Sequence, residues 1–162
     1  MSAVQASKRN YEQAVAEANR AIALDPNYAG SYMTLGHALI FSGKPEEAIG
    51  AEEKALRLDP RSRDFYFGEL GTAYVFMGQY REAIPLLKQN LASFPDEQGV
   101  HFDLAIAYSE LGREDEARAE VLVIKQLNPQ LSAAAIESPS FSLKDRALRA
   151  RFAADLRKAG LK

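Results

Sequence analysis

Cysteine is absent from this sequence, so the chain can form neither a disulfide framework nor a thiolate site for a metal. Because the absence of thiols suits any compartment, it leaves the redox location open. Histidine is nearly absent too, with only His37 and His101. His101 stands where the neighbouring units have Tyr32 and Phe67, which favours a packing role. We expect no bound metal and no cofactor.

An excess of charge of one sign is also lacking, since the formal net charge is -2. A balance so close to zero argues against nucleic acid or an anionic membrane surface as a partner of the whole chain. No stretch approaches the about 18 consecutive apolar residues that a membrane-spanning helix needs. We therefore expect a soluble, cytoplasmic protein that binds neither nucleic acid nor a membrane.

Clusters that carry chemistry are missing as well. The glycines stand singly rather than in the runs that cradle a phosphate. The acidic run from Glu114 to Glu116 opens a predicted helix, where the helix dipole favours negative charge without any cation. We predict that the chain is not an enzyme.

What the sequence does contain is a repeat. Four prolines, Pro26, Pro60, Pro95 and Pro129, recur at intervals of 34 or 35 residues. Between them lie Gly43, Gly78 and Gly112, each flanked on both sides by residues with helical apolar spacing. Glycine can adopt the left-handed conformation that ends a helix, and proline cannot continue one. Each unit is therefore predicted to be a helix, a tight turn and a second helix, and this period is typical of a solenoid.

Small residues recur in register at the positions where the two helices of a unit should cross. They are Gly36, Gly71 and Ala105 in the first helices and Ala14, Ala48, Ala83 and Ala117 in the second. Close approach of two backbones explains why size is specified there.

These residues carry a family resemblance. The pattern "YMTLGHAL…GKPEEAIGAEEKALRLDP" resembles the aromatic, Leu-Gly, Ala and Pro signature of tetratricopeptide repeat proteins, and the match covers Asn10 to Pro129. The first unit is incomplete, because the opening "MSAVQASKR" is too short and polar for a full first helix; either the chain starts with a stub of that helix or it was cut from a longer array. Three further departures stand out: "DPRSRDFYFGELG" holds an extra residue, Pro85 lies inside a second helix, and Glu52 replaces an apolar residue.

The resemblance implies an all-α, right-handed superhelical solenoid of antiparallel helix pairs with a C-terminal capping helix. We predict an array over 1–129 and a capping segment over 130–162. Within the array, a partial repeat at 1–28 precedes full repeats at 29–62, 63–97 and 98–129.

A second resemblance concerns the C-terminal half. The stretches "GREDEARAEVLVIKQLNPQLS" and "FSLKDRALRARFAADLRKAGLK" are similar to the ends of tetratricopeptide regions appended to bacterial class III adenylate or guanylate cyclases and to some winged-helix transcriptional activators. This resemblance implies, as an alternative function, a regulatory or self-associating region of a larger bacterial protein.

The concave face of such an array should bind a polypeptide, in a scaffold or regulatory role. Helical spacing assigns ten residues to this groove: Met33, His37, Ile40, Phe41, Thr72, Val75, Phe76, Phe102, Ile106 and Ser109. The surface is mainly apolar, with Glu69, Asp103 and Glu110 at its margins. An apolar or weakly basic segment of a protein or peptide is the preferred partner. Alternatively, Phe41, Phe76 and Phe102 only pack between adjacent units.

The basic tail is predicted to form a helix from Leu143 to Ala159, capped by Ser142. Its apolar stripe, which includes Phe152 and Leu156, should cover the last repeat around Val121, Leu122 and Lys125, while its arginines face water or nearby acids. The alternative is a basic helix that binds nucleic acid or an acidic membrane.

The incomplete first repeat leads to a further expectation. Without a preceding helix, the helix from Tyr11 to Leu24 should show an uncovered face with Val15, Ala18 and Ile22. Another copy of the chain could cover that face, which predicts a homo-oligomer.

Overall fold

The protein is described by a computed structural model that covers residues 3–138, 143 and 145–162. Over these residues the regular structure is entirely helical, which confirms the all-α class. The α-helices are α1 (Ala3–Leu24), α2 (Ala29–Phe41), α3 (Pro45–Leu58), α4 (Arg63–Phe76), α5 (Tyr80–Ser93), α6 (Gln98–Glu110), α7 (Glu114–Leu127), α8 (Ala133–Glu137) and α9 (Arg146–Lys158).

Helices adjacent in sequence pack as hairpins, α2 on α3, α4 on α5 and α6 on α7. The first helices of successive hairpins also contact one another, α2 with α4 and α4 with α6. This repeated stacking makes a helical solenoid whose inner face is formed by α2, α4 and α6.

The turn inside each hairpin has the predicted chemistry. Gly43, Gly78 and Gly112 have φ values of 85°, 74° and 73°, in the left-handed region that favours glycine. These three glycines therefore end the first helices as the sequence predicts.

The extra residue between the second and third repeats is accommodated by a short 3-10 helix, Pro60–Ser62. The Asp59 carboxylate accepts hydrogen bonds from the backbone N–H of Arg61 at 3.3 Å and from Oγ of Ser62 at 2.6 Å. This capped turn lengthens the unit without disturbing the helix that follows.

The first repeat differs from the prediction. Helix α1 is continuous from Ala3, so the residues before Tyr11 extend the same helix and do not form the stub of a preceding one. On its inner side Ala18 is buried, and Val15 packs against buried residues of α2 and α3. Because α2 covers this side, Val15 and Ala18 are not a free surface for a second copy. They therefore no longer support the prediction of a homo-oligomer.

The C-terminal segment also differs from the prediction. Helix α9 begins at Arg146 because the Asp145 side chain accepts from the backbone N–H groups of Ala147 and Leu148, at 2.8 and 3.0 Å. The predicted cap, Ser142, lies outside the described residues. The short helix α8 was not predicted.

Helix α9 packs mainly on the inner side of α6, and among the described residues the expected contact with α7 is limited to the C-terminal end of α9. There Nζ of Lys125 donates a 3.0 Å hydrogen bond to the carbonyl of Gly160, and Lys158 pairs with Glu114 at 3.1 Å.

Phe152 is completely buried and its ring centroid lies 5.7 Å from that of Phe76 and 6.3 Å from that of Phe102. Leu156 is buried as well, as predicted. Leu122, by contrast, is 62% exposed, so the tail closes the C-terminal end of the concave face and leaves this part of α7 open to solvent.

The arginines of α9 do not all face water. Arg149 is buried and its Nη1 donates a 2.6 Å hydrogen bond to the carbonyl of Leu143, which corrects the prediction for this residue. Arg151 pairs with Glu110 at 2.7 Å, and Arg157 pairs with Glu137 at 2.7 Å. Several of the tail's positive charges are therefore neutralised within the chain.

Candidate functional site

A line of aromatic rings follows the concave face. The Phe41 ring lies 6.0 Å from that of Tyr11 and 5.6 Å from that of Phe76, and Phe152 continues the line to Phe102. The Tyr11–Phe41 pair is stacked and the other pairs are edge-to-face, and both arrangements are favourable at these separations. Phe41 and Phe76 thus contact each other across neighbouring units, Phe102 contacts Phe152 of α9, and all three also border the cavity described next.

The centre of this face is a cavity of about 460 Å³, a size found for small-ligand sites. It lies between α4, α6 and the turn that joins α5 to α6, with α2 at one end and the C-terminal segment at the other. Six phenylalanines line it: Phe41, Phe65, Phe76, Phe94, Phe102 and Phe152.

Polar side chains occupy defined places in this apolar wall. Oγ1 of Thr72 donates a 2.6 Å hydrogen bond to Oδ2 of Asp103, which joins α4 to α6. Nδ1 of His37 lies 3.2 Å from Oε2 of Glu69, which joins α2 to α4. These two contacts set polar groups of neighbouring repeats side by side at the cavity.

Asn90 contributes an unusual group. Its Nδ2 donates a 2.9 Å hydrogen bond to the backbone carbonyl of Asp64, and this bond holds the amide in place under Gly68. Its Oδ1 is buried and has no hydrogen-bond partner among the described residues. A buried acceptor without a partner is costly, and Asn90 is one of the residues that line the cavity, so a donor that reached this atom would be favourable.

The environment shifts two of the titratable groups. Burial raises the pKa of Asp103 to about 7; the Thr72 hydrogen bond opposes this rise and the nearby Glu69 carboxylate adds to it. The hydrogen bond to Glu69 raises the pKa of His37 above its ordinary value, against a smaller lowering by burial. Near neutral pH the Asp103 carboxyl group therefore changes charge easily.

The structure brings together five of the ten residues that the sequence assigned to the groove. His37, Phe41, Thr72, Phe76 and Phe102 all line the cavity. Met33 lies instead in a neighbouring depression on the side of Phe65 and Phe94.

The other four assigned residues are buried, and for these the assignment was wrong. Ile40 and Val75 are completely buried because they lie at the edge of the helical stripe, where successive first helices pack together. Ile106 is completely buried and Ser109 nearly so because α9 covers this part of α6; Oγ of Ser109 lies 3.4 Å from the backbone oxygen of Asp155 in α9.

Several cavity residues were not assigned to the groove. Phe65, Phe94 and Phe152 were missed, and Asp103 was placed at its margin. Asn90 could have been noticed, because it stands where the register puts Ala55 in the preceding repeat and Ile124 in the following one. A polar residue at a position that is otherwise apolar was the available signal.

His101 has a structural role, as expected. It is buried, its Nε2 donates a 2.8 Å hydrogen bond to the carbonyl of Pro95, and its Nδ1 lies 2.6 Å from Oε2 of Glu120. Among the described residues, no group of three or more histidine and carboxylate side chains is arranged to hold a metal ion. Within the same part of the chain, no helix combines the length and apolarity needed to cross a membrane.

The fold and the site together define a class: a helical repeat solenoid with a cavity at the centre of its concave face. Two family models, both described as tetratricopeptide repeat, match residues 4–63 and 75–137. Together they cover about three quarters of the chain, which therefore carries tetratricopeptide repeats.

A yeast relative agrees with this assignment. The small glutamine-rich tetratricopeptide repeat-containing protein 2 of Saccharomyces cerevisiae is 43% identical over 58 residues, which are 36% of this chain and 17% of the yeast protein. The similarity thus concerns less than a fifth of that relative.

Solved structures support the fold over nearly the whole chain. MamA from Desulfovibrio magneticus has a TM-score of 0.65 at 19% identity, and the alignment covers 97% of this chain and 92% of MamA. YrrB, described as a tetratricopeptide repeat protein with an unusual peptide-binding site, has a TM-score of 0.60 at 25% identity, over 95% of this chain and 78% of YrrB. The resemblance of the C-terminal half to cyclase-associated or winged-helix-associated regions stays a prediction.

Proposed function

We propose that the protein binds a segment of another polypeptide along its concave face, centred on the phenylalanine-lined cavity, in a scaffold or regulatory role. Tetratricopeptide repeat proteins mediate protein–protein interactions, which is the coarse function that the family supports. The single observation that carries the finer proposal is the cavity itself, an apolar recess that several helices build together. Apolar recesses with a few fixed polar groups are typical of binding sites.

The charge of the recess favours the kind of partner. Glu69, Glu97 and Asp103 line it, whereas no lysine or arginine of the described residues does. A terminal carboxylate would meet these acids unfavourably, so an apolar or weakly basic segment is the complementary partner. The peptide-binding site described for YrrB is consistent with a groove ligand in this fold.

Two matched glycine variants test the proposal. Gly99 lines the cavity, and a Cβ there would find its nearest neighbour, Oε1 of Glu97, at 3.7 Å, so Gly99→Trp should fill the recess without strain. Gly50 is an exposed glycine of α3 with nothing within 4 Å of an added Cβ, so Gly50→Trp is the control. Both changes also replace a helical glycine, which favours folding.

The probe is a set of peptides enriched on the purified wild-type protein from a phage-displayed library of random sequences. Fluorescence anisotropy should show that Gly99→Trp reduces the affinity for the peptide at least about tenfold, because the indole ring would occupy the recess. A tenfold reduction corresponds to about 1.4 kcal/mol of binding free energy. Gly50→Trp should leave affinity unchanged. If every enriched peptide binds both variants equally well, the concave face is not the binding site.

A further inference from the structure

The polar groups of the cavity include several hydrogen-bond acceptors beside the His37 and Gln98 side chains, and His37 is paired with Glu69. Oδ1 of Asn90 has no partner among the described residues, and Glu69, Glu97 and Asp103 supply carboxylate oxygens. The Thr72 hydroxyl is already engaged, because it lies within hydrogen-bond distance of both Asp103 and the carbonyl of Gly68. A ligand group that fits this set must bring several donors.

Among these acceptors, Asp103 is the one whose burial most requires a compensating charge. It is only 4% exposed, and the one hydrogen bond that its side chain is seen to accept comes from the neutral Thr72 hydroxyl. A carboxylate buried this deeply is costly unless a positive charge or several donors compensate it. Facing a cavity, Asp103 is therefore a ready site for a cation brought from outside.

Building on the function proposed above, we propose that this cavity takes the guanidinium group of an arginine in the docked segment. Asp103 would supply the counter-charge and Oδ1 of Asn90 a further acceptor, between the rings of the phenylalanine wall. Guanidinium carries five N–H donors in a planar fork, pairs with carboxylates in a bidentate manner and stacks on aromatic faces. No other side chain combines these properties.

The chain already holds one of its own arginines in a comparable way, next in sequence to the cavity residue Phe152. Nε of Arg151 in α9 lies 2.7 Å from Oε1 of Glu110 on α6, and its guanidinium lies 5.9 Å from the centre of the Tyr80 ring, whose hydroxyl accepts a hydrogen bond from Nη2. An acid and an aromatic ring thus bind an arginine within this chain.

The first test uses a small probe, Nα-acetyl-arginine N-methylamide, with the citrulline analogue as its neutral near-isostere. NMR titration of the full chain should move the amide signals around Thr72 and Asp103 with the arginine probe and at least about tenfold more weakly with the citrulline probe. Equal binding of the two probes would overturn the proposal.

Two isosteric variants sharpen this test. Asp103→Asn keeps an oxygen that can accept the Thr72 hydrogen bond but removes the charge, so it should weaken the arginine probe at least about tenfold and leave the citrulline probe unaffected. Asp96→Asn removes the same charge from an exposed residue that does not line the cavity, and should change neither probe. An arginine affinity equal in both variants would contradict the assignment of Asp103.

The failures of the two proposals can be told apart with the enriched peptides. Arginine-to-citrulline replacement in a peptide whose binding is blocked by Gly99→Trp should cost at least about tenfold in affinity. If Gly99→Trp blocks the peptide and citrulline costs nothing, the groove binds but the arginine site is wrong. If the small arginine probe binds through Asp103 and no peptide is affected by Gly99→Trp, the proposed function fails and the arginine site stands alone.

A proton-linked effect offers an independent measurement. The titratable side chains that line the cavity, among the described residues, are His37 on α2, Glu69 on α4, and Glu97 and Asp103 at α6. A cation binds the ionised form of Asp103, so binding should release a proton and strengthen as the pH rises through about 7. Loss of the proton from His37 acts in the same direction, so a His37→Gln variant isolates Asp103. Calorimetric titration of His37→Gln with the arginine probe, in two buffers of different ionisation enthalpy, should detect the released proton. If no proton is released, the assignment of Asp103 as the counter-charge is contradicted.

Discussion

The second and third repeats have the same helix hairpin but different chemistry where its two helices cross. In the third repeat a Cβ at Gly71 would lie 2.5 Å from Cδ2 of Leu87, and in the second a Cβ at Gly36 would overlap Oε1 of Glu52. Both glycines are therefore required by close approach. The comparison shows that the glycine specifies only the space at the crossing, because that space is filled by an apolar side chain in one repeat and by a carboxyl group in the other.

The energetic difference between the two crossings is large. Glu52 is completely buried, and neither of its carboxylate oxygens has a hydrogen-bond partner among the described residues. Burial raises its pKa to about 9, with a further contribution from the Glu69 charge, so the group is protonated at neutral pH. Even a neutral buried polar group without a partner costs about 1–3 kcal/mol.

The packing around the two crossings differs as well. Leu87 belongs to an extensive apolar core that continues from α4 through α9. The second repeat has a separate small cluster, made of Leu39, Ile40, Ala48 and Ala73. We expect the N-terminal half of the array to open at lower free energy than the C-terminal half.

The largest effect should come from copying the second repeat's arrangement into the third. Leu87→Glu removes a fully buried apolar side chain and buries a carboxyl group in its place, which should cost about 4 kcal/mol or more. Gln89→Glu on the exposed side of the same helix is the control and should change stability by less than about 0.5 kcal/mol. Urea denaturation followed by circular dichroism measures both, and equal stability of the two variants would show that the crossing tolerates either chemistry.

A somewhat smaller loss of stability is expected when the packing of α9 on the C-terminal core is weakened. Phe152→Ala deletes a completely buried ring and should cost about 3–4 kcal/mol in the free energy of unfolding. Leu122→Ala, at the exposed side chain on α7, should cost less than about 0.5 kcal/mol. If the two losses were reversed, α9 would cover α7 after all.

A gain in stability is expected from the reverse exchange at the second repeat. Glu52→Leu replaces the unpartnered carboxyl group by the residue that fills the matching place in the third repeat, and should stabilise the fold by about 1–3 kcal/mol. Hydrogen exchange read residue by residue should slow mainly in α2 and α3. No slowing there would mean that Glu52 has a compensating contact.

The last expected effect is a change in the pH dependence of stability. The pKa of Glu52 is raised from 4.5 to about 9 in the folded state, so this group favours folding below about pH 4.5 and the contribution is lost as the pH rises towards about 9. Across this window the loss is at most about 1.4 kcal/mol per pH unit.

The variant Glu52→Gln separates this contribution from others of the same sign. Burial also raises the pKa of Asp103 to about 7 and that of Asp155 to about 6, and both groups remain in the variant. Denaturation between about pH 6 and 8 should therefore give a flatter dependence for Glu52→Gln than for the wild type. Parallel curves would indicate that Glu52 is charged in the folded protein.

The repeat pattern alone predicted most of the fold because its signals are local. The left-handed turn at Gly43 depends on the backbone of one residue, and the close crossing at Gly71 depends on the absence of a side chain there. These properties can be read from one sequence without knowing any distant contact. The same reasoning placed His37, Phe41 and Thr72 at the site.

The parts that the sequence did not predict depend on contacts between segments far apart in the chain. Ile106 has the spacing of a groove residue, yet α9 covers it, and no local pattern states where a C-terminal helix will pack. Asn90 lines the cavity from α5, the second helix of the third repeat. The helical spacing that assigned groove residues was applied only to the first helices. The sequence by itself determined a helical repeat array with an apolar inner face, since turns and amphipathic stripes are encoded locally. Only the tertiary structure decided which part of that face stays open, because burial depends on which distant apolar surfaces meet.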